Sequence, residues 1–369
     1  MKRLGIWYQV TLLIGGIMVS WRSSPTIAAK TFLQHTSVQV SSEAFLANYF
    51  ENEELPPVLS ALARLDSIYK IMNVKPMQGG YSTRVFSLIT ISQRKFVLRV
   101  LPKRDSSQEF SKEIYAAIAN AKKKTGPKIF YSDSINGILV MEHLGGQVLR
   151  DSVYEDTHNK IFELAKLLKQ SHSIPAFQLA QYNIYSRIYD TLRSMGISVP
   201  KRLVKLVDVV KKIEQEPSLW PQVPCHNDLN PNNILESHGK LWLIDWEMAG
   251  LNDPFYDLAT LANFMALNPT QQKEFLKAYL GGESSQQQLK RFAQMRLVSL
   301  TFYGTILQKI AQEPIFFEFD QLDEELVPLA NLYERKQVWN QFNDTKALSL
   351  FGLSLLAEAE KIASHLMLQ

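Results

Sequence analysis

The segment from His226 to Asp245 limits the possible folds of this chain most, because a dense polar cluster leads into two short apolar runs. The runs cover residues 233–236 and 241–245, and the Ser-His-Gly-Lys sequence between them is typical of a tight turn. This pattern predicts an antiparallel β-hairpin, whose first and last residues lie side by side. Asn233 and Asp245 should therefore face the same point in space.

The polar groups of this segment fit the chemistry of phosphoryl transfer. Mg²⁺ prefers a few hard oxygen ligands, with waters and phosphate oxygens completing its octahedron, so Asn233 and Asp245 predict a magnesium site. Asp228 precedes Asn233 by five residues and should lie near a metal-bound phosphate, where its carboxylate can accept a hydroxyl proton. Alternatively, an Asn- and Asp-rich turn that caps helices would explain each residue singly, but it does not explain the set.

Composition limits the remaining classes of function. The chain has 369 residues, 46% of them hydrophobic, and is long enough for two lobes, because single hydrophobic cores stop growing near about 250–300 residues. The formal net charge is only +4 and the basic residues are dispersed, so no nucleic acid partner is expected. Cys225 is the only cysteine, which excludes an internal disulfide and a cysteine-rich zinc site and favours a cytoplasmic protein.

The N-terminal residues 1–30 conflict with a cytoplasmic location. Two basic residues precede an apolar stretch at residues 4–21, and small residues follow it, a pattern typical of a secretory signal or a signal anchor. The stretch is marginal as a membrane span, which usually needs about 20 apolar residues. Membrane association through residues 4–21, an exported form, and an apolar leader whose true start lies downstream, for instance at Met18, therefore remain alternatives.

Hydrophobic periodicity divides the rest of the chain into two parts. In residues 31–143 a helical pattern interrupted at Pro56-Pro57 precedes patterns in the order strand, strand, helix, strand, strand. These later patterns cover residues 85–91, 95–100, 108–121, 128–131 and 137–142. In residues 144–369 helical patterns dominate, and the hairpin described above interrupts them. We therefore expect a small lobe with a β-sheet, followed by a larger and mainly helical lobe.

The sequences HNDLNPNNIL and LIDWEMAG resemble the catalytic loop and the metal-binding segment of protein-kinase-like small-molecule kinases. The nearest resemblance is to the choline/ethanolamine kinase and LicA group, with aminoglycoside phosphotransferases and thiamine kinase as relatives. The resemblance implies an α+β, two-lobed protein-kinase-like fold and an ATP-dependent phosphotransferase. It also implies that Asp228 is the catalytic base or a group that orients the accepting hydroxyl, while Asn233 and Asp245 hold Mg²⁺ on the ATP phosphates.

The resemblance places the nucleotide phosphates against the first lobe. The sequence Gly-Gly-Tyr-Ser-Thr falls where the family has its phosphate-covering loop, and glycine lets the backbone approach phosphate oxygens closely. The residues assigned to this loop are Gly79, Gly80, Ser82 and Thr83. Arg99 falls where these relatives place a cation on the ATP phosphates. Its candidate partner is Glu113, with Glu109 as the alternative, and solvent-exposed side chains would also explain all three.

Further residues are assigned by their place in the same fold. Glu142 and His143 end the last predicted strand of the first lobe, where this fold has a hinge whose backbone contacts adenine. We interpret His172 and His226 as structural supports of the catalytic loop rather than as catalytic residues.

The residues at the positions where choline kinases bind the acceptor differ in this chain. Many of them carry an acidic residue seven positions after the aspartate matched by Asp257, and this chain has Phe264 there. They also carry two tryptophans three positions apart that help to enclose a quaternary ammonium, and the best match here is Tyr303 and Ile306. A buried core aromatic is the alternative interpretation of Tyr303.

The predicted acceptor is a small hydroxyl compound. We place choline, ethanolamine or a related amino alcohol first and thiamine-like or aminoglycoside-like compounds second. The predicted substrate residues are Asn230, Glu247, Phe264 and Tyr303. A protein substrate is not expected, because the chain enters a helix soon after Asp245 and leaves no long segment on which a peptide could lie. A catalytically inactive kinase-like binding module and a membrane-anchored interaction protein are the rival classes.

Overall fold

The computed structural model describes residues 46–77, 83–102, 107–152, 157–196, 199–216, 219–313, 316, 319–320 and 344–367. The predicted leader at residues 1–30 lies outside these ranges, as do Gly79, Gly80 and Ser82 of the predicted phosphate-covering loop. Within the described ranges, no helix combines the length and the apolar character that a membrane crossing requires.

The first lobe is built on an antiparallel sheet of five strands in the order β1–β2–β3–β5–β4. The strands are β1 (Ile71–Pro76), β2 (Arg84–Thr90), β3 (Lys95–Val100), β4 (Ile129–Asp133) and β5 (Ile138–Glu142). Helix α1 (Leu55–Tyr69) precedes the sheet, and helix α2 (Ser107–Lys122) connects β3 to β4. The predicted proline interruption proves to be the start of α1, since proline is tolerated in the first turn of a helix.

The two faces of this sheet pack against different partners because side chains alternate along each strand. Phe96 and Leu98 of β3 are buried in a core that the sheet shares with α1. Val97 points the other way and packs on a larger core that includes α2 and the second lobe. By the same alternation Arg99 lies on the face that is turned toward the second lobe, and only 9% of it is exposed.

The second lobe is mainly helical. Its helices are α3 (Leu149–Ser152), α4 (Thr157–Ser171), α5 (Ile184–Met195), α6 (Lys201–Gln215), α7 (Pro254–Phe264), α8 (Pro269–Leu280), α9 (Gln286–Ala311) and α10 (Thr345–Met367). Its short strands are β6 (Gln147–Val148), β7 (Val223–Cys225), β8 (Ile234–Ser237), β9 (Lys240–Leu243) and β10 (Gly250–Asn252). Strands β6, β8 and β9 form one small antiparallel sheet, and β7 pairs with β10. The predicted α+β fold class is confirmed.

The β8–β9 hairpin forms where the sequence predicts it, with Ile234 paired to Leu243 and Ser237 paired to Lys240. His238 and Gly239 form its two-residue turn, and both have positive φ angles of 51° and 68°. Positive φ at both central residues is the requirement of the turn that matches the twist of a hairpin. The hairpin therefore holds the chain segments at its open end, on either side of β8 and β9, close together.

Candidate active site

Asn233 and Asp245 lie just outside the two hairpin strands, at the open end of the hairpin. Asn233 ends a short 3-10 turn at Pro231–Asn233, and its carbonyl oxygen accepts a hydrogen bond from the Ile244 N–H at 3.0 Å. Asp245 follows directly with a φ of 66°, in the left-handed region that Asp tolerates better than most residues. The hairpin thus brings the backbone of Asn233 next to Ile244, the residue before Asp245.

Asp228 lies in the loop before the 3-10 turn and is 4% exposed. Its carboxylate accepts hydrogen bonds from Asn230 Nδ2 (3.1 Å) and Tyr303 Oη (2.7 Å) at Oδ1, and from Asn233 Nδ2 (2.9 Å) at Oδ2. Asn233 Nδ2 also donates to the Asp228 carbonyl oxygen at 2.8 Å. The aspartate that the sequence predicts as the base is therefore held in one position by side chains from the loop and from α9.

Burial raises the pKa of Asp228 to about 7, because transfer from water disfavours the charged carboxylate. The hydrogen bonds from Tyr303 and Asn230 act in the opposite direction, and the negative charge of Asp245 adds to the rise. A carboxyl group with a pKa near neutrality suits a general base that works near neutral pH.

The side chain of Asn233 connects the base to the predicted metal site. Its amide nitrogen is turned to Asp228, so its amide oxygen points away from the base, and among the described residues no hydrogen bond reaches that oxygen. A neutral amide oxygen and the Asp245 carboxylate are hard donors of the kind that Mg²⁺ uses together with water and phosphate oxygens. The residues present therefore fit a magnesium ion at this point.

Arg99 reaches this location from the first lobe. Its Nη2 lies 2.9 Å from Asp245 Oδ1 and 3.4 Å from Glu113 Oε1 of α2, so Arg99 pairs with its first candidate partner, Glu113. The side chain of the alternative, Glu109, lies outside the described part of the structure. Burial alone lowers the pKa of Arg99, but the carboxylates of Asp245, Glu113 and Glu247 outweigh it and raise the pKa above its ordinary value. The guanidinium is thus a fixed positive charge beside the predicted metal ligands.

Asp257 of α7 supports the catalytic loop from behind, and the sequence analysis gave it no such role. Its carboxylate accepts the backbone N–H groups of His226 (2.7 Å) and Asn227 (2.9 Å). His172 Nε2 lies 3.0 Å from the same carboxylate and the His172 Nδ1 is bonded to Tyr279. His226 bonds the Ile244 carbonyl oxygen through Nε2 at 2.8 Å. Both histidines therefore support the loop, in agreement with their structural interpretation.

The other predicted residues lie at different distances from this centre. Thr83 is buried directly before β2. Glu142 ends β5, and its Oε2 lies 3.4 Å from the backbone nitrogen of Lys128. His143 follows and is half-buried. Neither Glu142 nor His143 contacts Asp228 or Arg99 in any described interaction. Glu247, 8% exposed, adds negative charge near Arg99.

Phe264 and Tyr303 lie on α7 and α9 and contact each other edge to face, with ring centroids 4.7 Å apart and an angle of 82° between the rings. Both are buried, with 6% and 3% exposure. The hydrogen bond from Tyr303 to Asp228 was missed by the sequence analysis. No local signal could reveal it, because the two residues are 75 positions apart in the chain.

A buried carboxylate, two side chains with hard oxygen donors and a fixed guanidinium lie at the predicted site of this two-lobed kinase-like fold, and these are the groups that phosphoryl transfer uses. The chain belongs to the phosphotransferase enzyme family, whose family model matches residues 73–292. The protein is thus a phosphotransferase, as the sequence resemblance implies.

The chain is similar in sequence to a curated relative and similar in fold to solved structures. The chain is 27% identical over 204 residues to the LicA protein of Haemophilus influenzae, a match that covers 52% of this chain and 74% of that protein. The fold is similar to a choline/ethanolamine kinase family protein from Mesorhizobium loti, with a TM-score of 0.56 at 20% identity over 80% of this chain and 99% of the other. It is also similar to a structure of LicA in complex with AMP, with a TM-score of 0.52 at 18% identity over 82% and 100% of the two chains.

Proposed function

We propose that this phosphotransferase moves the γ-phosphate of ATP to a hydroxyl group of a small amino alcohol such as choline or ethanolamine, with Mg²⁺ as the cofactor. The observation that carries the proposal is the side chain of Asn233, whose nitrogen binds the base Asp228 and whose oxygen faces away from that base. One amide thereby links a proton acceptor to a metal ligand, which is the spatial relation that transfer between a bound phosphate and a hydroxyl requires.

Each residue then has a defined task. Asp228 orients the accepting hydroxyl and takes its proton as the new O–P bond forms. Asn233 and Asp245 hold the metal, and bound Mg²⁺ supplies positive charge that offsets the charge of the phosphate oxygens. Arg99 offers a second positive charge to the phosphates from the first lobe.

ATP as the donor is supported by the family and by the AMP found in the related LicA structure. Glu142 and His143 at the end of β5 remain our proposal for the segment that contacts the adenine. The residues of the predicted phosphate-covering loop likewise remain our proposal for the contacts to the ATP phosphates. Of these residues, only Thr83 lies within the described ranges.

A small cationic acceptor is supported by the charge of the site and by the length of the following segment. The carboxylates of Asp245 and Glu247 lie close enough to Arg99 to raise its pKa, and negative charge of this kind near the site favours a positively charged amino alcohol. Residues 246–253 are all that separate Asp245 from α7, which leaves little chain for a peptide to bind against. The names of the related proteins point to choline and ethanolamine as the first acceptors to test.

The packing of Phe264 favours a second candidate acceptor. Its ring contacts the Tyr303 ring, so these two aromatic residues cover each other instead of lining an open cage for a quaternary ammonium. A larger hydroxyl compound of the thiamine or aminoglycoside kind, bound outside such a cage, is therefore the alternative.

The test is a transfer assay with the purified chain lacking residues 1–30, radiolabelled ATP, Mg²⁺ and a panel of amino alcohols, thiamine and aminoglycosides. We expect phosphorylated choline or ethanolamine, and Asp228→Asn should remove the product. Product with thiamine or an aminoglycoside alone would select the second candidate. If the chain binds ATP but gives no product above the Asp228→Asn control, it is an inactive kinase-like binding module and the proposal is wrong.

A further inference from the structure

The carboxylate of Asp228 has almost all of its hydrogen-bonding capacity occupied. An ionised carboxylate offers about four lone-pair sites, two on each oxygen. Within the described part of the chain, Oδ1 accepts two hydrogen bonds, from Tyr303 and Asn230, and Oδ2 accepts one, from Asn233. The site that remains is therefore on Oδ2, next to the Asn233 amide.

The three donors are themselves fixed, so this pattern is set by the surrounding structure. The oxygen of Asn230 accepts hydrogen bonds from the backbone N–H and the side chain of Asn232, both at 3.0 Å, which orients the nitrogen of Asn230 toward Asp228. Asn233 is held by its second bond, to the carbonyl oxygen of Asp228. Asn230 and Asn233 belong to the same loop as Asp228, and they would move with it.

Tyr303 is the donor that comes from outside the loop. Its ring lies against Phe264 at 4.7 Å and against Phe302 at 5.2 Å, both in edge-to-face contact, which fixes the direction of the hydroxyl group. The hydrogen bond to Asp228 is also the shortest of the three, at 2.7 Å. Rotation of the Asp228 side chain about its Cα–Cβ bond would break this bond, so Tyr303 restrains that rotation.

We propose that Tyr303 is a positioning residue whose hydroxyl holds Asp228 so that the accepting hydroxyl of the substrate binds at Oδ2. The inference rests on the proposed function. It assigns the tyrosine hydroxyl, instead of the ring face, to the reaction. In the transfer step the substrate O–H bond breaks and its proton moves to Oδ2, while the substrate oxygen forms a bond to the γ-phosphorus. The bond between the γ-phosphorus and the oxygen that bridges the β- and γ-phosphates breaks, and ADP leaves with the electron pair of that bond.

The first test is Tyr303→Phe, which removes the hydroxyl and keeps the ring. The loss of one hydrogen bond to a charged group should lower kcat by roughly 10- to 100-fold, while the KM values for ATP and for the acceptor stay within a factor of about two. Tyr182→Phe is the matched control. Tyr182 is also buried in this lobe, but its hydroxyl lies 3.9 Å from the sulfur of Met248, so kcat should not change.

Kinetics separate this proposal from its alternatives. A raised KM for the acceptor with an unchanged kcat would mean that the hydroxyl binds substrate directly, and parental values for both constants would mean that it has no role in the reaction. Either result overturns the inference while the proposed function stands. A parent enzyme that neither phosphorylates an acceptor nor hydrolyses ATP would instead overturn both.

A crystal structure of Tyr303→Phe provides a measurement that does not depend on turnover. We expect the Asp228 carboxylate to leave its present position, with Oδ2 no longer within hydrogen-bond distance of Asn233 Nδ2. If the carboxylate keeps its position and its bonds to Asn230 and Asn233, the positioning role is wrong. The Tyr182→Phe structure should retain all three bonds to Asp228.

Discussion

Two buried aspartates in the second lobe show how surroundings decide the use of a carboxylate. Burial raises the pKa of Asp228 to about 7. Burial also acts to raise the pKa of Asp257, but the hydrogen bond and charge of His172 and the backbone N–H of His226 outweigh it and lower the pKa below its ordinary value. Asp257 therefore stays charged and supports the loop, while Asp228 can exchange a proton.

The raised pKa of Asp228 predicts a measurable dependence of stability on pH. Because the folded protein binds this proton more tightly than the unfolded chain, Asp228 stabilises the fold most below its ordinary value of 3.8, and this stabilisation is lost as the pH rises through about 7. Asp228→Asn should therefore be at least as stable as the parent above neutral pH, although it is inactive. Denaturant unfolding at several pH values checks this.

Asp257→Asn is the matched comparison for that prediction. In the parent protein the pKa of Asp257 is lowered, so the stabilising contribution of this carboxylate is present above its ordinary pKa of 3.8 and is lost as the pH falls. Disrupting the buried pair with His172 should reduce the unfolding free energy by about 3–5 kcal/mol at neutral pH. Equal losses of stability in the two variants would contradict this assignment of roles.

At the scale of elements, the crossing of α9 and α10 determines where Tyr303 lies. Gly304 follows Tyr303 directly, and a Cβ added there would lie 2.7 Å from the Cγ and Cδ2 atoms of Leu356. Gln308 of α9 and Ser349 of α10 exchange hydrogen bonds of 2.7 and 2.6 Å near the same crossing. The two helices are thus in close contact beside Tyr303, the residue that donates a hydrogen bond to Asp228.

This crossing predicts an unusual result for Gly352→Ala. Alanine normally stabilises a helix interior relative to glycine by about 1 kcal/mol. Here the added Cβ would overlap the Gln308 side-chain nitrogen and lie 2.9 Å from Leu307 Cβ, so overpacking should instead destabilise the protein by about 1–3 kcal/mol and lower kcat. Thermal unfolding and the transfer assay measure both effects.

Gly282→Ala provides the control for that substitution, because a Cβ at this position has no heavy atom within 4 Å. It should leave activity unchanged and the unfolding free energy unchanged or slightly higher. A Gly352→Ala protein as stable and active as Gly282→Ala would mean that the close crossing does not constrain Tyr303.

The elements also show what the sequence could and could not predict. The β8–β9 hairpin was predictable because its apolar runs and its turn are local, and with it came the adjacency of Asn233 and Asp245. Strand β1 was not predicted, since it is an edge strand on which only Ile71 and Val74 are partly buried, and it therefore lacks the alternating pattern. The hydrogen bond between Tyr303 and Asp228 could not be predicted, because it depends on how elements distant in the sequence pack together.

At the scale of the whole molecule, Arg99 connects the two lobes at the site. Its strand belongs to the sheet of the first lobe, and its guanidinium lies between Glu113 of α2 and Asp245 beyond the hairpin of the second lobe. Breaking a buried ion pair by removing one partner is costly, because the carboxylates that remain are poorly solvated. The same arginine is proposed to contact the ATP phosphates, so stability and nucleotide binding depend on one side chain.

Arg99→Met should therefore lower the unfolding free energy by about 3–5 kcal/mol and weaken ATP binding by about tenfold or more. Calorimetric titration and thermal unfolding give the two values. Arg84→Met is the control, because Arg84 pairs with Glu54 inside the first lobe at a partly exposed position, where an ion pair contributes about 1 kcal/mol or less. Equal effects of the two substitutions would show that Arg99 does not join the lobes or bind the nucleotide.

The central claim is that Asp228 acts as the base for metal-dependent transfer from ATP to a small hydroxyl compound. The most direct measurement compares the parent and Asp228→Asn for ATP binding and for transfer to the acceptor panel in the presence of Mg²⁺. The account predicts that both proteins bind ATP and that only the parent forms phosphorylated product. Equal transfer by the two proteins would contradict it.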